Sequence, residues 1–321
     1  MTRFWILLLG FWVVSISSAR GQELVEITVQ SSLDQAKQPA LEFVPDTVTE
    51  AVPLLVLLHT WSGDYKQTGF VEVCAMECAE RGWALIHPNF RGPNWTLDAC
   101  GSDLAVQDVI DAVDWMIAHH KINADRIYLT GVSGGGHMSL LMAGRHPERW
   151  AAVSAWVGIS DLSAWHSETK TARRNYFEHM EKALGGAPGT NTKIDEDYAH
   201  RSPLTWLPRA KGLPIDINAG IHDGHTGSVP ISQSLLAFNS LAKVNGSADL
   251  LLSPEAIAEM TSQEKIPEQF KYVEQQEDRQ HPVLFRRVAG PARVTIFEGG
   301  HEGDLPTAIE WLATHTRTST E

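Results

Sequence analysis

The sequence predicts an α/β fold in which a mostly parallel sheet carries helices on both faces. Three observations predict it. Short apolar or β-branched runs alternate with helical stretches along the chain. One of these runs, Leu54-Leu55-Val56-Leu57-Leu58, contains no polar residue, as a strand buried on both faces requires. A third run, Arg126-Ile127-Tyr128-Leu129-Thr130, passes through Gly131-Val132-Ser133-Gly134-Gly135-Gly136 directly into an apolar helix. The chain has 321 residues, and no internal repeat or low-complexity tract interrupts it. Residues 22–321 read as a single domain.

In chain order, Leu24 to Val29 and Ala40 to Val44 read as short strands. After the apolar run at 54–58, Thr68 to Arg81 reads as a helix and Trp83 to Ile86 as a strand. Leu104 to His120 has apolar residues at 106, 109, 110, 113, 116 and 117, which gives a helix one inner face. Ala151 to Ile159 and Pro214 to Ala219 are strands. Ile231 to Ala242 is a helix with Ile231, Leu235 and Phe238 on one side. Arg293 to Phe297 is the last strand and Leu305 to Thr314 the last helix. Two segments fall outside the alternation. Asp161 to Leu213, about 161–213, mixes helix and loop signals. It leaves the carboxyl end of a strand, so it is expected to form a cap-like segment beside the site. Gly246 to Gly290, about 246–290, is a polar insertion in which Ser253-Pro254-Glu255 marks a helix start. It follows a helix that has run back to the opposite edge, so it is expected to stand away from the site.

The first 21 residues read as a secretory signal peptide. Thr2-Arg3 is a positive start, Phe4 to Val14 an apolar run, and Ser15 to Gly21 small and polar apart from Arg20. The cut is expected after Ala19 or Gly21. The run is shorter than the about 20 residues that span a bilayer. The expected location is therefore secreted or periplasmic, with no stable membrane anchor after cleavage; an uncleaved anchor is the alternative. The formal net charge of -13 argues against a nucleic-acid partner, because phosphate neutralisation needs a basic face. Cys74 and Cys78 stand at i and i+4 on a helix. Either could bridge to Cys100 in an oxidising compartment, or all could remain buried thiols. No histidine cluster at ligand spacing lies near them, so no metal and no cofactor are expected.

The glycine-rich turn at 131–136 matches the G-x-S-x-G nucleophile elbow, which would lift the Ser133 hydroxyl above the strand ends. A glycine-rich turn with Ser133 as a helix cap is the bland alternative. Chain topology tests the difference. Reacting groups in a parallel sheet gather at the carboxyl ends of strands, and here an acid and then a histidine should follow. Asp223 follows the strand Pro214 to Ala219, and His301 follows the strand Arg293 to Phe297 in the loop Glu298-Gly299-Gly300-His301. His301 is then the base that takes the serine proton, and Asp223 the acid that orients it. Gly134 N–H is one expected oxyanion donor; Trp61 N–H, in "HTWSGD", is the other, with Thr60 second. Asp161 is the runner-up acid. His59, His137, His222 and His225 are rival histidines, and Asp216, mid-strand, reads as structural. Trp61, Trp95, Trp156 and Trp165 could rim a sugar-stacking pocket or belong to the core.

With these residues in hand, the chain resembles the catalytic domain of the prolyl oligopeptidase family within the α/β-hydrolase fold. "PNFRGPN" at 88–94 is similar to the family's stretch after the fourth strand. "DRIYLTGVSGGGHMSLLMAGRHPERWAAVSAWVGISDL" resembles its elbow region. "YAHRSPLTWL" and "LPIDINAGIHD" are similar to the approach to its acid, and "GGH" to its histidine loop. The resemblance covers about Pro53 to Trp311. Three features depart from it. His59-Thr60-Trp61 stands where the family has His-Gly-Gly. "GHTGS" stretches the interval from Asp223 to the next Val-Pro pair. The family's propeller domain has no room in this chain. The resemblance implies a serine hydrolase that forms an acyl-enzyme. Expected substrates are a small acyl ester, an acylated carbohydrate or a short peptide, with carboxylesterase-like activity favoured over serine-type peptidase activity. A non-catalytic hydrolase-like binding protein is the further alternative.

Overall fold

Among the described residues, β-branched and leucine-rich runs pair into one nine-stranded sheet. The computed structural model describes residues 23–46, 48–270 and 280–317. The expected signal segment, 1–21, and part of the expected insertion, 271–279, lie outside the described residues. The strands are β1 (Val25–Gln30), β2 (Lys37–Phe43), β3 (Val52–Leu58), β4 (Ala84–Pro88), β5 (Ile122–Val132), β6 (Ala152–Trp156), β7 (Ile215–Gly220), β8 (Val283–Ala289) and β9 (Ala292–Phe297). The helices are α1 (Phe70–Arg81), α2 (Asp103–His119), α3 (Gly134–Arg145), α4 (Leu162–Thr171), α5 (Tyr176–Leu184), α6 (Thr192–His200), α7 (Pro203–Trp206), α8 (Ser232–Val244), α9 (Pro254–Gln263) and α10 (Leu305–Ala313).

Pairing is parallel from β4 through β3, β5, β6 and β7 to β9. The ends are antiparallel: β1 on β2, β2 on β4, and β8 on β9. Helices cover both faces. α1 packs on α10, while α3 and α8 both pack on the turn at 207–209. From β3 the chain crosses first to β4 and then back past β3 to β5. The loops after β3 and β5 therefore separate at a switch point, where open α/β sheets form a crevice. Register aligns the carboxyl ends: Leu58 opposes Gly131, Val132 opposes Trp156, and Gly220 opposes Phe297.

β6 stops at Trp156, three residues short of the expected strand end, because Val157 takes a φ of 44° and turns the chain. β8 was not foreseen. Its sequence, VLFRRVA, carries two arginines, which an edge strand tolerates because one side remains open to solvent. Asp216 is structural, as expected. It is fully buried and accepts from Arg293 Nε at 2.6 Å, Asn218 Nδ2 at 2.8 Å and Ser154 Oγ at 3.3 Å, which ties β6, β7 and β9 together.

Residues 161–213 form four helices, of which α7 packs on α3 and the main core, while α4, α5 and α6 enclose a second core. Ile159, Leu162, Trp165, Met180, Ala183, Leu184 and Tyr198 pack there with Trp61 and Val229, from the loops beside the strand ends. Trp61, Trp156 and Trp165 are buried core residues, although Trp156 also borders a small cavity with His281 and Phe297; of the four, Trp95 alone is partly exposed. All three cysteines are free and buried, with Cys74 and Cys78 in the main core and Cys100 in this second one. Burial raises all three thiols, that of Cys100 to about 12.

Arg91, in "PNFRGPN", fastens the amino-terminal hairpin to α2. Its Nε and Nη2 hold both oxygens of buried Asp108, at 2.6 and 3.1 Å. Its Nη1 and Nη2 hold Asp34 at 2.8 and 2.9 Å. The guanidinium keeps the Asp34 carboxyl well below the usual carboxylate range. Arg91→Ala strands the Asp108 charge in the interior and is expected to cost about 3–5 kcal/mol. Urea unfolding followed by circular dichroism measures this, and adding Asp108→Leu should recover much of the loss.

Candidate active site

Ser133 sits between β5 and α3 with φ 61° and ψ -115°, a left-handed conformation rare for a residue with a side chain. Two backbone bonds hold it there: Ser133 N–H donates to Trp156 O at 2.9 Å, and His137 N–H donates to Ser133 O at 2.9 Å. His301 Nε2 lies 2.8 Å from Ser133 Oγ, and His301 Nδ1 lies 2.7 Å from Asp223 Oδ2. The three side chains, from three separate strand ends, form one continuous hydrogen-bonded line. The Asp223 side chain is fully buried, and about a quarter of the His301 side chain is exposed.

The acid is held tightly. Asp223 Oδ1 accepts from Gly224 N–H at 2.8 Å and from Val229 N–H at 3.0 Å. Both donors border the stretch "GHTGS", so the lengthened interval wraps the carboxylate. Gly227 closes this wrap. A Cβ there would lie 2.1 Å from Asp223 Oδ1 and 2.5 Å from His301 Cβ. Sequence reasoning missed Gly227; the only signal was the stretched interval itself.

The loop after β3 reaches the serine from the other side. A Cβ on Gly134 would lie 2.3 Å from Trp61 N, so only glycine lets the two backbones meet. Thr60 N–H already donates to Gln67 Oε1 at 2.9 Å. The Trp61 and Gly134 amides have no acceptor among the described residues. The loop is anchored from below. Asn94 donates to Trp61 O through its backbone N–H at 2.9 Å and its Nδ2 at 3.3 Å. The His59 ring stacks on Phe90 at 3.8 Å, with its nitrogens 2.9 Å from Thr60 O and 2.8 Å from Asn89 O. Burial holds His59 below the ordinary histidine range.

The rival residues have other partners. Asp161 caps α4 by accepting from Ala164 N–H at 3.0 Å. His137 is buried against Arg201 O at 2.9 Å, and burial lowers it to about 4. His222 and His225 lie beside Asp223 and contact Glu264 at the end of α9. The insertion therefore returns to the site rim, contrary to expectation: α8 runs away from the strand ends and α9 folds back along it. Among the described residues, no cluster of His, Cys, Asp and Glu is placed to hold a metal ion, and no helix is long and apolar enough to cross a membrane.

The profile of the prolyl oligopeptidase family matches residues 75–272. The chain belongs to the prolyl oligopeptidase family. The match includes Ser133 and Asp223; His301 follows it. Relatives of this family hydrolase include both peptidases and esterases. It is 29% identical over 223 residues to dipeptidyl aminopeptidase BIII of Pseudoxanthomonas mexicana, covering 66% of this chain and 30% of that one. It is 26% identical over 229 residues to acetylxylan esterase A of Emericella nidulans, covering 69% and 64%. The chain thus spans under a third of the first relative and just under two thirds of the second. Among solved structures, acetyl xylan esterase from Paenibacillus sp. R4 superposes with a TM-score of 0.61 at 13% identity, over 91% of this chain and 84% of that one. The chain has the α/β-hydrolase fold of that family.

Gly227→Ala should push the Asp223 and His301 side chains apart while leaving the sheet intact. The expected readout is loss of the far-downfield Nδ1 proton of His301 in the proton NMR spectrum, with an unchanged circular dichroism spectrum.

Proposed function

We propose that the chain is an exported, secreted or periplasmic, hydrolase of short acyl esters, acylated carbohydrate among them, with Ser133, His301 and Asp223 as its catalytic groups. The observation that supports this reading is the unbroken line Ser133 Oγ–His301 Nε2 and His301 Nδ1–Asp223 Oδ2, at 2.8 and 2.7 Å. A serine hydroxyl becomes an effective nucleophile when a neighbouring base takes its proton. His301 takes it as Oγ bonds to the acyl carbon. The carbonyl π electrons move to oxygen, and the Gly134 and Trp61 amides stabilise that oxyanion. The imidazolium then gives its proton to the departing alkoxide as the C–O bond breaks. Water repeats the sequence on the acyl-enzyme: His301 takes a water proton, hydroxide adds, and the acid leaves as Ser133 recovers its proton. Asp223 holds one tautomer and stabilises the imidazolium.

Two considerations support esters over peptides. Ester leaving groups are better than amide ones and need less binding energy from remote parts of the substrate. The esterase relative matches this chain over 69% of its length. A second reading, a serine-type peptidase, draws on the dipeptidyl aminopeptidase similarity.

Ser133→Ala should abolish turnover and fluorophosphonate labelling, leaving only the weak rate that oxyanion stabilisation supplies. Asp223→Asn should lower kcat by about 10⁴-fold, whereas Asp161→Asn, at a helix cap, should lose far less. Initial rates on p-nitrophenyl acetate measure all three; a larger loss for Asp161→Asn would overturn the choice of acid. To separate the substrate classes, kcat/KM for an acetyl ester and for an aminoacyl amide is each divided by its uncatalysed rate. The ester is expected to show the larger acceleration. A larger value for the amide would make the chain a peptidase that accepts esters.

A further inference from the structure

His222 precedes Asp223 and has a carboxylate on each ring nitrogen. Nδ1 lies 2.6 Å from Glu264 Oε2, and Nε2 lies 2.7 Å from Glu298 Oε1. Ionised carboxylates only accept hydrogen bonds, so both contacts require both ring nitrogens to carry protons. The three residues come from three places. His222 opens the loop that carries Asp223. Glu298 opens the loop that carries His301. Glu264 ends α9, in the insertion. The two loops are already stitched by His222 N–H to Gly299 O at 3.0 Å. Glu264 has a left-handed φ of 51°, where glycine is the less strained residue, so the carboxylate is kept at a backbone cost.

We propose that His222, as an imidazolium clamped between Glu264 and Glu298, is a positioning residue that locks the Asp223 and His301 loops to the end of α9, making hydrolysis reversibly sensitive to alkali. The proposal rests on the assignment of Ser133, His301 and Asp223 given above. Other charged groups surround the clamp. His225 Nδ1 lies 3.5 Å from the second Glu264 oxygen, and its Nε2 is 2.7 Å from Thr261 O. Arg174, from between α4 and α5, donates to His225 O at 3.2 Å. Glu302 is turned to Gly300 N–H and His281. The Asp223 carboxylate faces inward to His301.

The Glu264 and Glu298 carboxylates hold His222 above the ordinary histidine range. A raised value means that the clamp is closed on the acid side and opens as pH rises through it. The neutral ring can then donate to only one carboxylate, and its other lone pair faces the second.

The test uses the full chain and p-nitrophenyl acetate from about pH 6 to about pH 10, a range spanning histidine deprotonation. Wild-type kcat should fall on the alkaline side with KM steady. His222→Gln should lower kcat roughly 10-fold or more, as misplaced catalytic groups do, and should lack that fall. Glu264→Gln should move the fall to lower pH. His222→Arg, which keeps its charge, should retain activity further into alkali. A His222→Gln variant with wild-type kcat and the wild-type alkaline fall would overturn the proposal. If wild type cleaves neither esters nor amides, the catalytic assignment fails, and the clamp is read separately by ¹⁵N NMR of the His222 ring. Two protonated nitrogens at neutral pH support the clamp; one overturns it.

Discussion

The backbone of Ser133 is the constraint on which the rest of the site depends. Its φ of 61° and ψ of -115° cost about 1–3 kcal/mol and persist only where the surroundings over-determine them. The surroundings here are specific. β6 supplies Trp156 O to the Ser133 amide, α3 begins on the Ser133 carbonyl, and Gly134 lets the loop after β3 come within contact of the turn. The strain is local, and the sheet register that supports it is set by apolar pairing many residues away.

From that turn outward, three loops are held by two different means. The loop after β3 is fixed by neutral polar contacts from 88–94 and by the stacked His59–Phe90 pair, deep in the protein. The loops after β7 and β9 are fixed partly by charge at the rim. The first arrangement carries no net charge and is insensitive to salt, whereas the second consists of partly exposed ion pairs, which salt weakens.

Ser133, Asp223 and His301 were legible because chain order and strand ends leave few places for such groups. The residues around them were not. Gly227 has a role only once its neighbours in space are known, since nothing in "GHTGS" announces a missing Cβ. Glu264 follows a helix start that Ser253 announces, and Ser253 Oγ does cap α9, accepting from Ala256 N–H at 3.2 Å. The direction in which α9 runs depends on packing against α8, which local sequence does not encode. β8 was hidden because edge strands tolerate charge, which weakens the apolar pattern that marks a strand. The three cysteines were ambiguous because spacing alone cannot separate a bridge from burial in two different cores.

That division of the cysteines gives the protein two internal clocks. A thiol that is buried and held protonated does not meet an alkylating reagent until its surroundings open. Cys74 and Cys78 stand on the buried face of α1 in the main core, whereas Cys100 lies in the second core with residues of α4, α5 and α6. Modification of Cys100 ahead of the other two marks a molecule whose upper layer lifts as a separate cooperative unit. Modification of all three together marks one that opens only as a whole. The chain thus carries, without any label added, a record of whether the layer over its site breathes independently of the sheet beneath.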